Sequence, residues 1–328
     1  MSGLLAPLGA AGLAALISLG MLAWLLRTGA ATRLLDRPNH RSLHSRATPR
    51  IGGIGILGGL ALVVLPSWST LAEPLRLSLV CYAVLSVVSL LDDARGLGAA
   101  TRLLIHLGAA LIVAVSFGLS PLAIALAVMG LAWSANLFNF MDGADGLAGG
   151  MAVIGFGAMA LALTGTPEPD ASIMAAATAG AALGFLCLNF PPAKIFMGDS
   201  GSVPLGFLAA ALGLYGWHSS AWSLTFPLLI FLPFWFDATS TLLIRTARGA
   251  RPWEAHREHL YQLAVRSGLG HRRVALGAYL LMLGCACTGW LARSWSNQAQ
   301  WLALGCAVAA IGGMAAVARR RLGKIELS

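Results

Sequence analysis

Apolar residues in this chain recur in runs too long for a soluble core, and no other feature constrains the fold as tightly. A helix that crosses a bilayer needs about 20 mostly apolar residues, because no water is present to satisfy its backbone N–H and C=O groups. About eleven such stretches can be read, at residues 3–26, 51–68, 75–91, 103–117, 122–137, 147–164, 172–190, 202–217, 224–244, 274–291 and 301–317. With 58% of its 328 residues hydrophobic and 11% charged, the chain lacks the polar surface to wrap a soluble domain. The expectation is an all-α integral membrane protein, a polytopic bundle of about eleven transmembrane helices in a single domain spanning residues 1–328.

The placement of charge orients this bundle. Cytoplasmic segments accumulate Lys and Arg, and every one of the 22 except Arg76 and Arg293 falls in a segment that follows an odd-numbered stretch. The expected topology has a periplasmic N-terminus and a cytoplasmic C-terminus in a bacterial inner membrane. The first stretch reads as a retained helix, since Arg27 follows the apolar run whereas a signal peptide carries its positive charge ahead of it. The net charge of +9 is then topogenic, with attraction for the anionic headgroups of membrane lipid. No basic stripe interleaved with aromatics points to nucleic acid. Cys81, Cys187, Cys285, Cys287 and Cys306 show no metal-ligand spacing and read as small core residues. His106 reads as a packing residue, and Gly55 and Gly59 as a close helix contact.

Ionisable groups at a membrane edge are costly enough to be functional suspects. Of the 13 acidic residues, Asp92 and Asp93 end the third stretch, Asp142 and Asp145 follow the fifth, and Asp199 follows the seventh. All five lie on the side where topology favours Lys and Arg. The segment FNFMDGADG at 138–146 has two aspartates and no basic residue, and the spacing is expected to set Asp142 and Asp145 on one face of a helical turn. Such charges repel one another, and a divalent cation with oxygen ligands, Mg²⁺ or Mn²⁺, relieves the repulsion. FMGDSGS at 196–202 opens the eighth stretch, where free helix N–H groups attract phosphate. Arg245, Arg248, Arg251, Arg257 and His259 are either topogenic or partners for a diphosphate. Pro227 and Pro233 interrupt the ninth stretch near Asp237, as an ordinary kink or as the opening of a lateral groove for a lipid tail. The chemistry expected of these groups is metal-assisted phosphoryl transfer at the inner face.

Four segments together resemble a known family. LLDD at 90–93, NLFNFMDGADGLA at 136–148, NFPPAKIFMGDSGS at 189–202 and DRPNHRSLHSRATPRIGG at 36–53 are similar to motifs of the polyprenyl-phosphate N-acetylhexosamine-1-phosphate transferases, the WecA/MraY superfamily of glycosyltransferase family 4. The resemblance runs in family order from residue 36 to 262. It implies transfer of a sugar-1-phosphate from a UDP-N-acetyl sugar to undecaprenyl phosphate, with release of UMP and a requirement for Mg²⁺. It also implies an active site formed by cytoplasmic loops 27–50, 92–102, 138–146, 191–201 and 245–273, and is compatible with a homodimer. By motif position Asp199 looks like the metal ligand. Asp92 and Asp93 look like catalytic residues beside the metal and the lipid phosphate, with direct attack by that phosphate preferred over a covalent step on one of the pair. Asn139, Asp142 and Asp145 look like nucleotide-sugar contacts, Lys194 like a phosphate partner, and Arg257 and His259 like donor contacts.

The pattern departs from the family in one place. Related transferases carry a histidine cluster resembling D-R-x-H-L-H-H, whereas residues 255–262 read AHREHLYQ, so that His256, Tyr261 and Gln262 replace an acid and two histidines. This form resembles the WbpL-like branch, associated with O-antigen initiation and 6-deoxy sugars. Two rivals have weaker support. A CDP-alcohol phosphotransferase wants an Asp-Gly-x-x-Ala-Arg pattern that residues 142–147 lack. An ion-coupled transporter places charges near the membrane midplane and not at one edge.

Overall fold

The computed structural model describes residues 2–36, 46–251, 254 and 256–325. Residues 37–45 of the first loop, and 252, 253 and 255 of the segment 245–273, lie outside the described residues. Every apolar stretch expected from the sequence is helical. The helices are α1 (Ser2–Arg27), α2 (Gly52–Val64), α3 (Glu73–Arg95), α4 (Ala99–Val115), α5 (Pro121–Phe140), α6 (Leu147–Leu163), α7 (Pro169–Asn189) and α8 (Asp199–His218). The ninth stretch forms α9 (Thr225–Ile230) and α10 (Leu232–Ala247), broken at Phe231 between the two prolines. A short α11 (Leu260–Ala264) precedes α12 (Gly270–Ala292) and α13 (Asn297–Ile325).

Among the described residues, six helical stretches are long and apolar enough to cross a membrane, within α1, α3, α5, α7, α11–α12 and α13. The exterior agrees with that reading: Leu16, Leu104, Leu122, Leu280 and Leu302 are each between 69% and 74% exposed. Side chains of this kind are stable on an outer surface when lipid covers it. The protein is therefore a multi-pass membrane protein. The cysteines fit the core reading only in part, since Cys81 and Cys285 are buried while Cys187, Cys287 and Cys306 are exposed on this apolar exterior.

Backbones approach closely where small residues meet. Helix α7 packs between α1 and α6, and α8 lies against α3 and α5. A Cβ placed on Gly180 would meet the Ala11 carbonyl oxygen at 2.0 Å, and one on Gly59 would meet that of Ala14 at 2.7 Å. Lipid gives helices no hydrophobic reason to associate, so packing of this closeness supplies much of the attraction. Near the first loop, β1 (Leu35–Asp36) pairs antiparallel with β2 (Thr48–Pro49), and Arg50 forms a bridge to Phe196. This pins the loop that follows α1 against the loop that precedes α8.

Candidate active site

Alternation of the helices gathers the ends of α3, α5, α7 and α10 with the starts of α4, α6, α8 and α12, and the aspartates sit among these ends. Arg102 Nη1, in the first turn of α4, lies 3.1 Å from Asp92 Oδ2 and 3.8 Å from Asp199 Oδ2. Arg50 bridges Asp36 at 2.7 Å and Asp93 at 3.4 Å. Asn139, in the last turn of α5, donates to Asp199 at 3.4 Å and accepts from the Ser202 hydroxyl at 2.9 Å. Two guanidinium groups and one amide thus tie four loops together through carboxylates.

The loop between α5 and α6 is not the helical turn expected from its spacing. Gly146 adopts a left-handed conformation (φ 78°), and Asp142 and Asp145 find separate partners. Asp145 accepts from the Ala193 N–H at 3.0 Å, and its own N–H donates to His271 Nδ1 at 3.1 Å. Asp142 accepts from the Gly198 N–H. Each carboxylate meets backbone donors of the 191–201 loop, which a continued helix would have denied them. The buried Asn189 reinforces this join, accepting from Gly146 N–H at 2.8 Å and donating to the Ile195 carbonyl at 2.9 Å.

Most of these side chains, Asp93 and Ser202 excepted, line a cavity of about 890 Å³. Its polar end is walled by Asp92, Arg102, Asn139, Asp142, Asp145 and Asp199 with His256 and His259. Further along the same helices the lining is largely apolar, with Val88 from α3, Leu103 and Leu107 from α4, and Met129, Ala132 and Trp133 from α5, interrupted by Ser89, His106 and Asn136. Enclosure pushes the Asp142 carboxyl well above the usual range, and the neighbouring Asp199 charge adds to the shift. Asp199 is raised as well, chiefly by burial, against the pull of Arg50 and Arg102. Burial, the adjacent His259 and Arg245 hold His256 down to about 4, so its ring is neutral at physiological pH.

A hard divalent cation fits this donor set. Among the described residues no three His, Cys, Asp or Glu groups are gathered closely enough to cage a metal. Asp92 and Asp199 nevertheless converge on one point, their Oδ2 atoms 3.1 and 3.8 Å from Arg102 Nη1, and Mg²⁺ takes only one or two protein carboxylates, completing its shell with water and substrate phosphate oxygens.

Comparison with known proteins places the chain. The glycosyl transferase family 4 model matches residues 75–217, which include the LLDD, NLFNFMDGADGLA and NFPPAKIFMGDSGS segments. A Bacillus subtilis protein named "Probable undecaprenyl-phosphate N-acetylglucosaminyl 1-phosphate transferase" is 33% identical over 266 residues, covering 75% of this chain and 74% of its own. The chain belongs to glycosyl transferase family 4. A Yersinia pestis undecaprenyl-phosphate alpha-N-acetylglucosaminyl 1-phosphate transferase is 28% identical over 76% of this chain and 75% of its own. The Mycobacterium tuberculosis decaprenyl-phosphate N-acetylglucosaminephosphotransferase is 29% identical over 74% and 72%.

Against this glycosyl transferase family 4 background, the residues expected from the motifs divide into two groups. Asp92, Asn139, Asp142, Asp145, Asp199 and His259 all line the cavity. Asp93 stands beside it, on Arg50, while Lys194 and Arg257 are not among the lining residues. Lys194 is exposed, turned outward where its N–H bonds the Leu188 carbonyl. Three arginines of segment 245–273 pair with acids of that segment: Arg245 and Arg248 with Glu258, and Arg251 with Glu254. His106 lines the cavity as well as packing, 3.5 Å from Asn136.

Several contributors carried no distinctive sequence signal. Arg102 was hidden among topogenic charges, and Arg50, although inside the 36–53 motif, was not singled out there. Tyr261 replaces a family histidine, yet it is buried and donates to the Phe140 carbonyl at 2.9 Å, bracing the 141–146 loop. Tyr279 does the same from α12, donating to the Gly146 carbonyl at 2.7 Å. Asp237, inside α10, accepts from the Leu260 N–H at 2.9 Å and holds the start of α11. Most of the apolar lining comes from α3, α4 and α5; α10 adds Leu242, so the proline break contributes less to the groove than the sequence suggested.

Proposed function

We propose that the protein transfers an N-acetylhexosamine 1-phosphate from a UDP-sugar to undecaprenyl phosphate, giving undecaprenyl-diphosphate-sugar and UMP. The observation that carries this reading is the two-sided cavity: one end lined by carboxylates, Arg102 and histidines, the other by side chains suited to a polyprenyl tail. Both substrates are anionic, and each finds an end that matches it. The crowding of charge at one end of the bundle favours this reading over a transporter.

In this mechanism a lipid phosphate oxygen attacks the phosphorus that bears the sugar, the bond to the UMP oxygen breaks, and UMP departs. Asp199 with Asp92 would hold Mg²⁺, which supplies charge neutralisation for the two phosphate groups. Arg102, anchored on both carboxylates, keeps them converged and offers its remaining donors to phosphate oxygens. Asp93, held by Arg50, positions the attacking lipid phosphate. Asn139, Asp142, Asp145 and His259 contact the nucleotide sugar. His256 and Gln262, both on the cavity wall, stand where the sequence departs from the family and tune the choice of sugar, in the manner of the branch that starts O-antigen or a related envelope polysaccharide. The proposed setting is a bacterial inner membrane crossed by all of the apolar stretches, with the N-terminus periplasmic and the site facing the cytoplasm.

Membrane vesicles bearing the protein should release UMP when given undecaprenyl phosphate, a UDP-N-acetyl sugar and Mg²⁺, and chelation of the metal should stop release. Silence across a broad panel of UDP-sugars overturns the proposal. Asp199→Ala should lower turnover by at least about 100-fold while the protein still inserts; full retained activity would remove Asp199 from its metal role.

A further inference from the structure

Residues 256–262 lie outside the span 75–217 matched by the family model, yet His256, His259, Tyr261 and Gln262 all line the cavity. What fixes them is therefore a separate question. The buried His259 ring is held by stacking, 6.1 Å from Phe140 and 5.9 Å from Tyr261 between ring centroids, and its Nδ1 has no hydrogen-bond partner among the described residues. The ring also faces Asp237, with Nδ1 3.7 Å from Oδ1, and stands 4.8 Å from the His256 ring, so Asp237 is the reference point for both the ring and its backbone. That backbone is gripped by Asp237, which accepts from Leu260 N–H at 2.9 Å and from Tyr261 N–H at 3.5 Å.

Arg319, near the end of α13, completes the grip. Its Nη1 donates to the Glu258 carbonyl at 3.1 Å, its Nη2 donates to the Thr241 hydroxyl at 2.6 Å, and Nη2 lies 3.9 Å from Asp237 Oδ1. The Thr241 hydroxyl in turn donates to Asp237 at 3.1 Å. One guanidinium therefore holds the residue before His259 directly and the two after it through Asp237. A planar fork with several donors suits this task, whereas an ammonium satisfies fewer acceptors at fixed angles. Its sequence neighbours Arg320 and Arg321 are exposed, as plain topogenic charges would be. Only Arg319 reaches inward.

We propose that Arg319 is a positioning residue for donor binding: a latch by which the last helix holds the 256–262 segment against the cavity. The proposal rests on the transferase reading for its kinetic consequence, but its structural consequence is independent of that reading. Loss of the latch frees the His259 backbone and leaves Asp237 without its guanidinium, so donor affinity falls while the lipid end of the cavity, built by α3, α4 and α5, is untouched.

The test uses the full chain in nanodiscs, with UDP-N-acetylglucosamine as the donor probe and undecaprenyl phosphate as acceptor. Arg319→Ala should raise the donor KM about tenfold, with the acceptor KM changed by less than about twofold. Amide hydrogen exchange at residues 259–261 should accelerate by a similar factor. Arg319→Lys should restore part of both effects, and Arg320→Ala should leave both at the wild-type level. Unchanged exchange at residues 259–261, or equal losses for donor and acceptor, overturns the latch. If the Ala variant fails to fold, Arg319→Lys and Thr241→Val carry the same two readouts. Absence of wild-type turnover would condemn the choice of donor or the transferase reading, whereas the exchange measurement still decides the latch.

Discussion

Asp142 keeps a carboxylate where burial and the Asp199 charge both oppose ionisation. Its folded-state pKa lies above that of the unfolded chain, so ionisation favours unfolding. Below the ordinary carboxylate range both states are protonated and the group is neutral towards stability. As pH rises the unfolded chain ionises first, and stability falls until the folded carboxyl ionises too. Asp142→Asn keeps the shape and removes the charge. In a thermal-shift series the variant should unfold at a higher temperature than the wild type at neutral pH, with the gap closing toward about pH 4. UMP release should meanwhile fall by about 100-fold or more. A gap that does not vary with pH would attribute the change to packing. Tyr261 makes the opposite exchange, giving up the family's histidine for a brace. Tyr261→Phe removes its bond to the Phe140 carbonyl and should cost about 1 kcal/mol of stability, measured as a lower unfolding midpoint, with the donor KM raised.

At the scale of elements, helix existence was legible because apolar runs of spanning length admit little else. Proline chemistry announced the broken ninth helix, and the break falls at Phe231, between Pro227 and Pro233. The turn at 142–145 departs from the spacing rule because that rule assumes a continuing helix, whereas α5 ends at Phe140 and the left-handed Gly146 leads into α6. Contacts such as Asp237 with Leu260 and Arg319 with Glu258 were not legible at all: they join residues far apart in sequence, and no periodicity encodes such a pairing. Close packing was legible only as small residues and not as particular partners. Gly180 shows what is at stake. A Cβ there would sit 2.0 Å from the Ala11 carbonyl oxygen, a backbone atom that cannot rotate away, so α1 must shift. Gly180→Ala should lower the unfolding midpoint and expose α1 to protease, whereas Gly157→Ala, whose Cβ would meet nothing within 4 Å, should be neutral or slightly stabilising.

For the molecule as a whole, the cavity joins two environments, and its two ends call for two routes of access. The proposed nucleotide-sugar donor is soluble and would reach the end walled by the aspartates and histidines. The proposed polyprenyl phosphate acceptor stays in the bilayer and would approach from the side, where the lining residues Leu103 and Met129 are 49% and 66% exposed on the bundle's flank. If the tail enters between α4 and α5, a bulky group there obstructs one substrate and not the other. Ala132 is buried on the cavity wall, beside Trp133 and one helical turn before Asn136. Ala132→Trp should therefore raise the KM for undecaprenyl phosphate about tenfold, the scale of a few lost methylene contacts. The donor KM should stay within about twofold. A farnesyl phosphate acceptor, with far less tail to accommodate, should show a smaller penalty in the same variant. Initial-rate measurements with both acceptors separate the outcomes, because a general distortion of the fold would depress the two equally, whereas an obstructed lateral groove penalises the long chain more.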